Sequence, residues 1–295
     1  MPPTAETAIG IDAGGSRLRA ARVSRDGTVS AHVAEPVMRD RAGFSEQLIR
    51  LADAVRDDSS RAVGIGIPGR VVGATGEIKS AGYLEVAGLD LPALFQRLGL
   101  TPVAVENDAT MALVAEARLR GEHGQGLVAM MTIGTGIGGA LVYDATPWPG
   151  GGLSGQFGHF VVNADGPMCK CGARGCVETF SSGTALNLLV QDAGLASDTK
   201  VEVLLERSAN GDVQCRAILL DWAWPMRRAL QTLVAAVDPR LIILGGGLGA
   251  AMSQALTLIE AEDKWFARPV EPATLGDRAG VIGAGLRAFD RLDQT

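Results

Sequence analysis

One short pattern occurs twice in this chain: an apolar strand, a glycine turn, and a second apolar strand. The first copy runs from Ala8 to Ile11, through Asp12-Ala-Gly-Gly-Ser16, into Leu18 to Val23. The second begins about 120 residues later, with Leu127 to Ile133, Gly134-Thr-Gly-Ile-Gly-Gly139 and Ala140 to Tyr143. Apolar runs bounded by glycine turns and interleaved with helical periodicity define an α/β chain. Its 295 residues leave room for one large domain or two of roughly 150. The repeat therefore predicts a duplicated α/β architecture, with two packed halves and no flexible linker between them.

The remaining elements follow from spacing. Thr28 to Ala34, Ala62 to Ile67, Pro102 to Glu106 and Leu241 to Leu244 are expected strands. Helices are expected from Phe44 to Val55, Leu91 to Leu98, Asp108 to Arg120, Thr184 to Ala193, Val201 to Ala209 and Val213 to Val237. The last of these should kink at Pro225. Two helices and a short strand are expected to close the chain.

Composition narrows the partners. The formal net charge is −6, which argues against nucleic acid or an anionic membrane. No apolar run reaches the ~20 residues of a membrane span. The polar, Pro-containing opening from Met1 to Thr7 does not resemble a secretion signal, so a cytoplasmic location is expected. His32 and His123 stand alone and are expected at the surface.

Glycine is in excess, at 39 residues. Much of the excess clusters at Gly10 to Gly15, Gly64 to Gly69, Gly134 to Gly139, Gly150 to Gly158 and Gly245 to Gly249, where backbone without Cβ can approach a ligand closely. Gly14, Gly15 and Ser16 in the first turn, and Gly134, Thr135 and Gly136 in the second, are expected to bind phosphate through N–H groups and hydroxyls. Asp12 is placed to hold Mg²⁺ through water. Gly245, Gly246 and Gly247 follow a buried strand and precede a helix, which suits a nucleotide. The Gly134–Gly139 turn lacks the strand-to-helix context and downstream acid of a dinucleotide fingerprint, and the lysine of a P-loop.

Glu106-Asn107-Asp108 leaves a strand and enters a helix. Asp108 can be an ordinary first-turn or capping residue. It can equally be the carboxylate that accepts the proton of an attacking hydroxyl. Asn107 could fix neighbouring hydroxyls. Of four cysteines, Cys169, Cys171 and Cys176 crowd together and His159 precedes them by ten positions. One imidazole and three thiolates make a closed tetrahedral zinc site, which is structural and has no open position for water. Cys215 lies in an apolar helical stretch and is expected in the core.

Together these residues resemble the ROK sugar kinases, the bacterial glucokinase-like group of the actin-type ATPases. The resemblance is carried by Gly155-Gln-Phe-Gly-His159, by Cys169-x-Cys171-Gly-x-x-Gly-Cys176-x-Glu178, and by the ordered appearance of Asp12-x-Gly-Gly-Ser16, Gly66-Ile-Pro-Gly69, Glu106-Asn-Asp108 and Leu244-Gly-Gly-Gly247. It implies a two-lobed actin-like (ribonuclease H-like) ATPase fold with ATP in a cleft. The implied lobes are residues 1–119, joined by the closing helix 282–295, and residues 120–281. The resemblance makes Asp108 the base acting on the 6-hydroxyl of a hexose. It puts Gly69, Asn107 and Glu178 on the sugar, and has His159 serve both zinc and sugar. A cytoplasmic homodimer using ATP with Mg²⁺ and a structural Zn²⁺ is implied.

Two departures bear on the sugar. Where the family usually carries Glu, this chain has Gln156, which bears no charge. Ala81-Gly-Tyr-Leu84 replaces a loop that often carries Asn and Trp. The acceptor could therefore be glucose, or a modified sugar such as kanosamine (3-amino-3-deoxyglucose), an N-acetylhexosamine or a cyclitol. A non-catalytic sugar-binding protein is a further reading. A repressor is disfavoured because the first phosphate loop begins at Asp12, and a polyphosphate donor because the Gly245–Gly247 loop suits a nucleotide.

Overall fold

The computed structural model describes residues 6–122, 125–148, 150–259 and 265–295. His123 and residues 1–5 of the opening segment lie outside them. The chain forms two compact units: Met1–Gly124 with Val142–Ser154 and Asp277–Thr295, and Gln125–Leu141 with Gly155–Gly276.

The first unit is built on strands β1 (Thr7–Ala13), β2 (Arg17–Ser24), β3 (Val29–Pro36) and β4 (Ser60–Ile67), a small hairpin β5 (Arg70–Val72) and β6 (Glu77–Ser80), and β7 (Val103–Asn107). Its helices are α1 (Arg41–Val55), α2 (Leu91–Gln96) and α3 (Asp108–Leu119). The sheet order is β3-β2-β1-β4-β7. β2 lies antiparallel to β1 and β3, and β4 lies parallel to β1 and β7.

A second sheet is formed by β8 (Leu127–Ile133), β9 (Ile137–Tyr143), β11 (Leu241–Gly245) and β12 (Val270–Pro272), mostly within the second unit, and the two-residue β10 (Thr146–Pro147), which with the paired end of β9 falls in the Val142–Ser154 segment of the first unit. Its sheet order is β10-β9-β8-β11-β12. Position for position this repeats the first sheet, and the parallel pairs recur at β8/β11 and β11/β12. The duplication expected from the glycine turns is thus a duplication of sheet order. Helices α4 (Glu178–Ser181), α5 (Gly183–Asp192), α6 (Val201–Ala209), α7 (Val213–Val237) and α8 (Gly249–Leu256) cover this sheet. The core gathers Trp222, Met226 and Leu233 of α7 against Met131 and Ile133 of β8, and Cys215 is buried with them. α7 runs through Pro225 without a break.

The closing helix α9 (Ala279–Leu292) belongs to the first unit, where it packs on β1, β4, β2 and α3. The approach is close enough to exclude side chains. A Cβ on Gly10 would lie 1.8 Å from the Val281 carbonyl oxygen, one on Gly64 1.9 Å from that of Ala284, and one on Gly283 1.7 Å from that of Met111. Gly10 and Gly64 were expected near a ligand; they serve helix packing instead. His32 is exposed on β3, as expected.

Candidate active site

In the first unit, β1 and β7 deliver two carboxylates towards each other. Asn107 is the N-cap of α3: its side-chain oxygen accepts from the N–H of Ala109 at 2.9 Å, and its amide donates to the carbonyl of Gly69 at 2.9 Å. Capping therefore falls to Asn107, and Asp108 is the first residue of the helix. Its Oδ1 accepts from the Ala109 N–H at 2.9 Å. Asp108 is densely surrounded by protein yet keeps partial access to solvent. Burial raises its pKa above the usual carboxylate range, partly offset by hydrogen bonds from Ala109 and Asn107. Gly69, with φ of +93°, turns so tightly that a Cβ would lie 2.6 Å from the Ser80 carbonyl oxygen.

Asp12 sits at the end of β1, paired with Arg19 at 3.4 Å; Arg19 in turn pairs with Asp277 at 3.1 Å. Burial, with Asp108 nearby, pushes Asp12 up to about 7. A carboxyl raised chiefly by burial, with a second carboxyl beside it, is one that a bound divalent cation would ionise. The Gly14 N–H is engaged by Arg17 O at 2.9 Å, while Gly15 and Ser16 are exposed at the tip of the turn. Tyr83, from the Ala81–Leu84 loop that departs from the family pattern, lies near both carboxylates. Its phenol is raised by burial and then by the charges of Asp108 and Asp12, and Arg39 lies 5.5 Å over its ring.

In the second unit a cavity of about 490 Å³ opens beside the second glycine turn. Gly134, Thr135 and Gly247 line it, together with Thr184 and Asn187 of α5 and Lys200 before α6. Thr184 donates to the Thr135 carbonyl at 2.8 Å, and the Gly183 N–H to that of Gly134 at 2.7 Å. Gly245, Gly246 and Gly136 support this cavity without lining it. Gly246 has φ of +76° and packs on Ile133; Gly136 packs on Glu178, whose carboxylate accepts from the Ile137 N–H at 2.8 Å.

His159, Cys169, Cys171 and Cys176 come together with their ligand atoms within 4.8 Å of one another. Cys169 Sγ lies 3.6 Å from His159 Nδ1, and Cys171 and Cys176 are 3.5 Å apart. Sulfurs bound to one zinc at about 2.3 Å in a tetrahedron lie about 3.8 Å apart, so the set fits that ion. Burial and the neighbouring thiols push Cys176 up to about 12, a proton that a bound cation would displace. Gln156 precedes this cluster, exposed at the start of a single 3₁₀ turn, and its side chain makes no cap.

A duplicated α/β core with paired glycine turns is the fold of the actin-like sugar kinases. Residues 8–290 match the model of the ROK family, and the chain belongs to that family. It is 29% identical to a glucokinase of Thermotoga maritima, covering 96% of this chain and 98% of that one. It is 27% identical to an N-acetylmannosamine kinase of Escherichia coli, again over 96% and 98%. Among solved structures, a ROK family glucokinase from Streptomyces griseus in complex with glucose and AMPPNP superposes with a TM-score of 0.77 at 28% identity, covering 96% and 99%.

Proposed function

We infer that this chain is an ATP-dependent carbohydrate kinase, and we propose that it phosphorylates the 6-hydroxyl of a hexose with Asp108 as general base. The observation that carries the proposal is the Asp108 carboxyl: raised by burial, partly open to solvent, and fixed by the cap of α3. A carboxylate of raised pKa is a better proton acceptor for an alcohol than an ordinary one. Phosphoryl transfer otherwise needs positioning and charge neutralisation. Asp12 would meet Mg²⁺ through water, Gly14, Gly15 and Ser16 would face phosphate, and the cavity at Gly134, Thr135 and Gly247 would take the nucleoside, with Gly136, Gly245 and Gly246 supporting its loops. Gly69, Asn107, Gln156, His159 and Glu178 would contact the sugar. A cytoplasmic homodimer belongs to the same reading, on the family resemblance. None of the helices among the described residues is long and apolar enough to cross a membrane.

Zinc would be held by His159 Nδ1 and the three cysteines. It would supply a cross-link for the loop and leave the other imidazole nitrogen for the sugar. Metal analysis should find about one zinc per chain. Removing it with a chelator should lower the melting temperature and raise KM for the sugar. Fully active protein without metal would contradict the assignment.

Matches at similar identity to a glucokinase and to an N-acetylmannosamine kinase support glucose, or an amino or N-acetylated relative, as the acceptor, with a cyclitol as the remaining alternative. Gln156 bears on the choice. A charge-assisted hydrogen bond is roughly twice as strong as a neutral one. Gln156→Glu should therefore shift relative kcat/KM towards glucose; an unchanged ranking across sugars would remove this residue from specificity. A coupled assay of ATP consumption over glucose, mannose, N-acetylmannosamine, 3-amino-3-deoxyglucose and cyclitols tests the whole reading. Turnover with none of them would favour a non-catalytic sugar-binding protein.

A further inference from the structure

The second unit contains another cavity, of about 320 Å³, between α7, α8 and the β11/β12 edge. It is distinct from the nucleotide cavity. Ile242, which lines it, is the second residue of β11, whereas Gly247 lies beyond the far end of the same strand, about 10 Å along at ~3.3 Å per residue. α8 starts at the glycine loop and runs back to this second cavity, so Ser253 and Leu256 line it from the helix's distal half.

The lining divides by chemistry. Leu230, Val234 and Ile242 form an apolar floor. Arg227 and Gln231 stand one turn apart on the same face of α7, and Ser253 faces them from α8. All three are partly buried, and none has a hydrogen-bond or ion-pair partner among the described residues. Arg268, which also lines the cavity, is already paired with Asp238 at 3.0 Å. A half-buried guanidinium with no acceptor, beside an unused amide and hydroxyl, is matched by a planar anion taken bidentately. The volume sits at the lower end of small-molecule sites, enough for one ring or a short alkyl body.

We propose that this cavity is a second binding site, for a small amphipathic carboxylate whose anion meets Arg227, Gln231 and Ser253 and whose apolar body lies on Leu230, Val234 and Ile242. The site stands whether or not the kinase reading does, because its test reads binding alone. The full chain is titrated calorimetrically with 4-phenylbutyrate, and with 4-phenyl-1-butanol as the uncharged control. The expected result is saturable one-site binding of the acid, with Kd about 1 mM or tighter, unchanged by saturating AMPPNP. The alcohol and the variant Arg227→Met should each bind about tenfold more weakly. Ser253→Trp, which fills the cavity, should abolish binding; if that variant does not fold, the alcohol and Arg227→Met comparisons still decide. Competition by AMPPNP, equal binding of acid and alcohol, undiminished binding by Arg227→Met, or no saturation by about 10 mM would each overturn the proposal. So would a change of oligomeric state in a folded Ser253→Trp, which would make the cavity an interface between copies.

Discussion

Asp108→Asn is expected to lower turnover by about 10²–10⁴-fold while nucleotide still binds. The substitution is nearly isosteric. The amide oxygen can keep the hydrogen bond from the Ala109 N–H, and Asn107 retains the cap, so α3 should start unchanged. What is lost is the ability to take a proton. The pH dependence carries the same signature. Asp108 must be ionised to act as base, so wild-type kcat/KM should rise with pH through a pKa above the ordinary carboxylate range, as burial dictates. The residual activity of the variant should lack that acid limb. Calorimetry with AMPPNP separates lost chemistry from lost binding. Turnover within a few-fold of wild type would mean that Asp108 is only a helix-first-turn residue.

The second large effect is expected on stability. Glu106, two residues before Asp108, is buried and pairs with Arg287 of α9 at 3.1 Å; Arg287 also binds Asp290 at 2.6 Å, and Asp290 is held in turn by Arg118 of α3. Burial raises Glu106 and Arg287 lowers it again, so the carboxylate depends on that cation. Arg287→Met replaces the stem with similar bulk but leaves a buried charge without its partner. Such a break costs about 3–5 kcal/mol, which for a unit of this size lowers Tm by about 6–20 °C. The pair is shielded from solvent, so salt should change little. Adding Glu106→Gln should restore much of the loss, because the stranded charge goes with it. A single variant within about 1 kcal/mol of wild type would show that the pair is not needed.

Much of this was legible along the chain because it is local. Glycine turns between apolar strands located β1 to β2 and β8 to β9, and the helical spacing of α6 and α7 agrees with the structure to the residue. The Cys-x-Cys spacing with His159 identified the thiol cluster before any fold was known. What failed to show depends on distance in sequence. The β5–β6 hairpin is too short for alternation to register. Thr184, Asn187 and Lys200 join the glycine turn only through the packing of α5 and α6. The Ala81–Leu84 loop stood out only as a departure from the family pattern, and nothing in it showed that Tyr83 would lie near the two carboxylates. The glycines are instructive in the other direction. Composition could say that backbone is approached closely at Gly10 and Gly64, but not by what, and the answer is a helix more than two hundred residues away.

That helix also sets a timetable. α9 is made after the whole second unit, yet it fills the face of the first sheet with a fit that no side chain could substitute. At about 5–20 residues per second, the stretch between α3 and α9 takes roughly 8–30 s to synthesise. Throughout that interval the emerging first unit carries an exposed apolar sheet face, with β7, the strand that leads into Asp108, unsupported from behind. The second unit meanwhile has every strand and helix it needs. Folding during translation should therefore run against the order of the chain: the second unit closes first, and the first becomes native only when the last turns of α9 leave the ribosome.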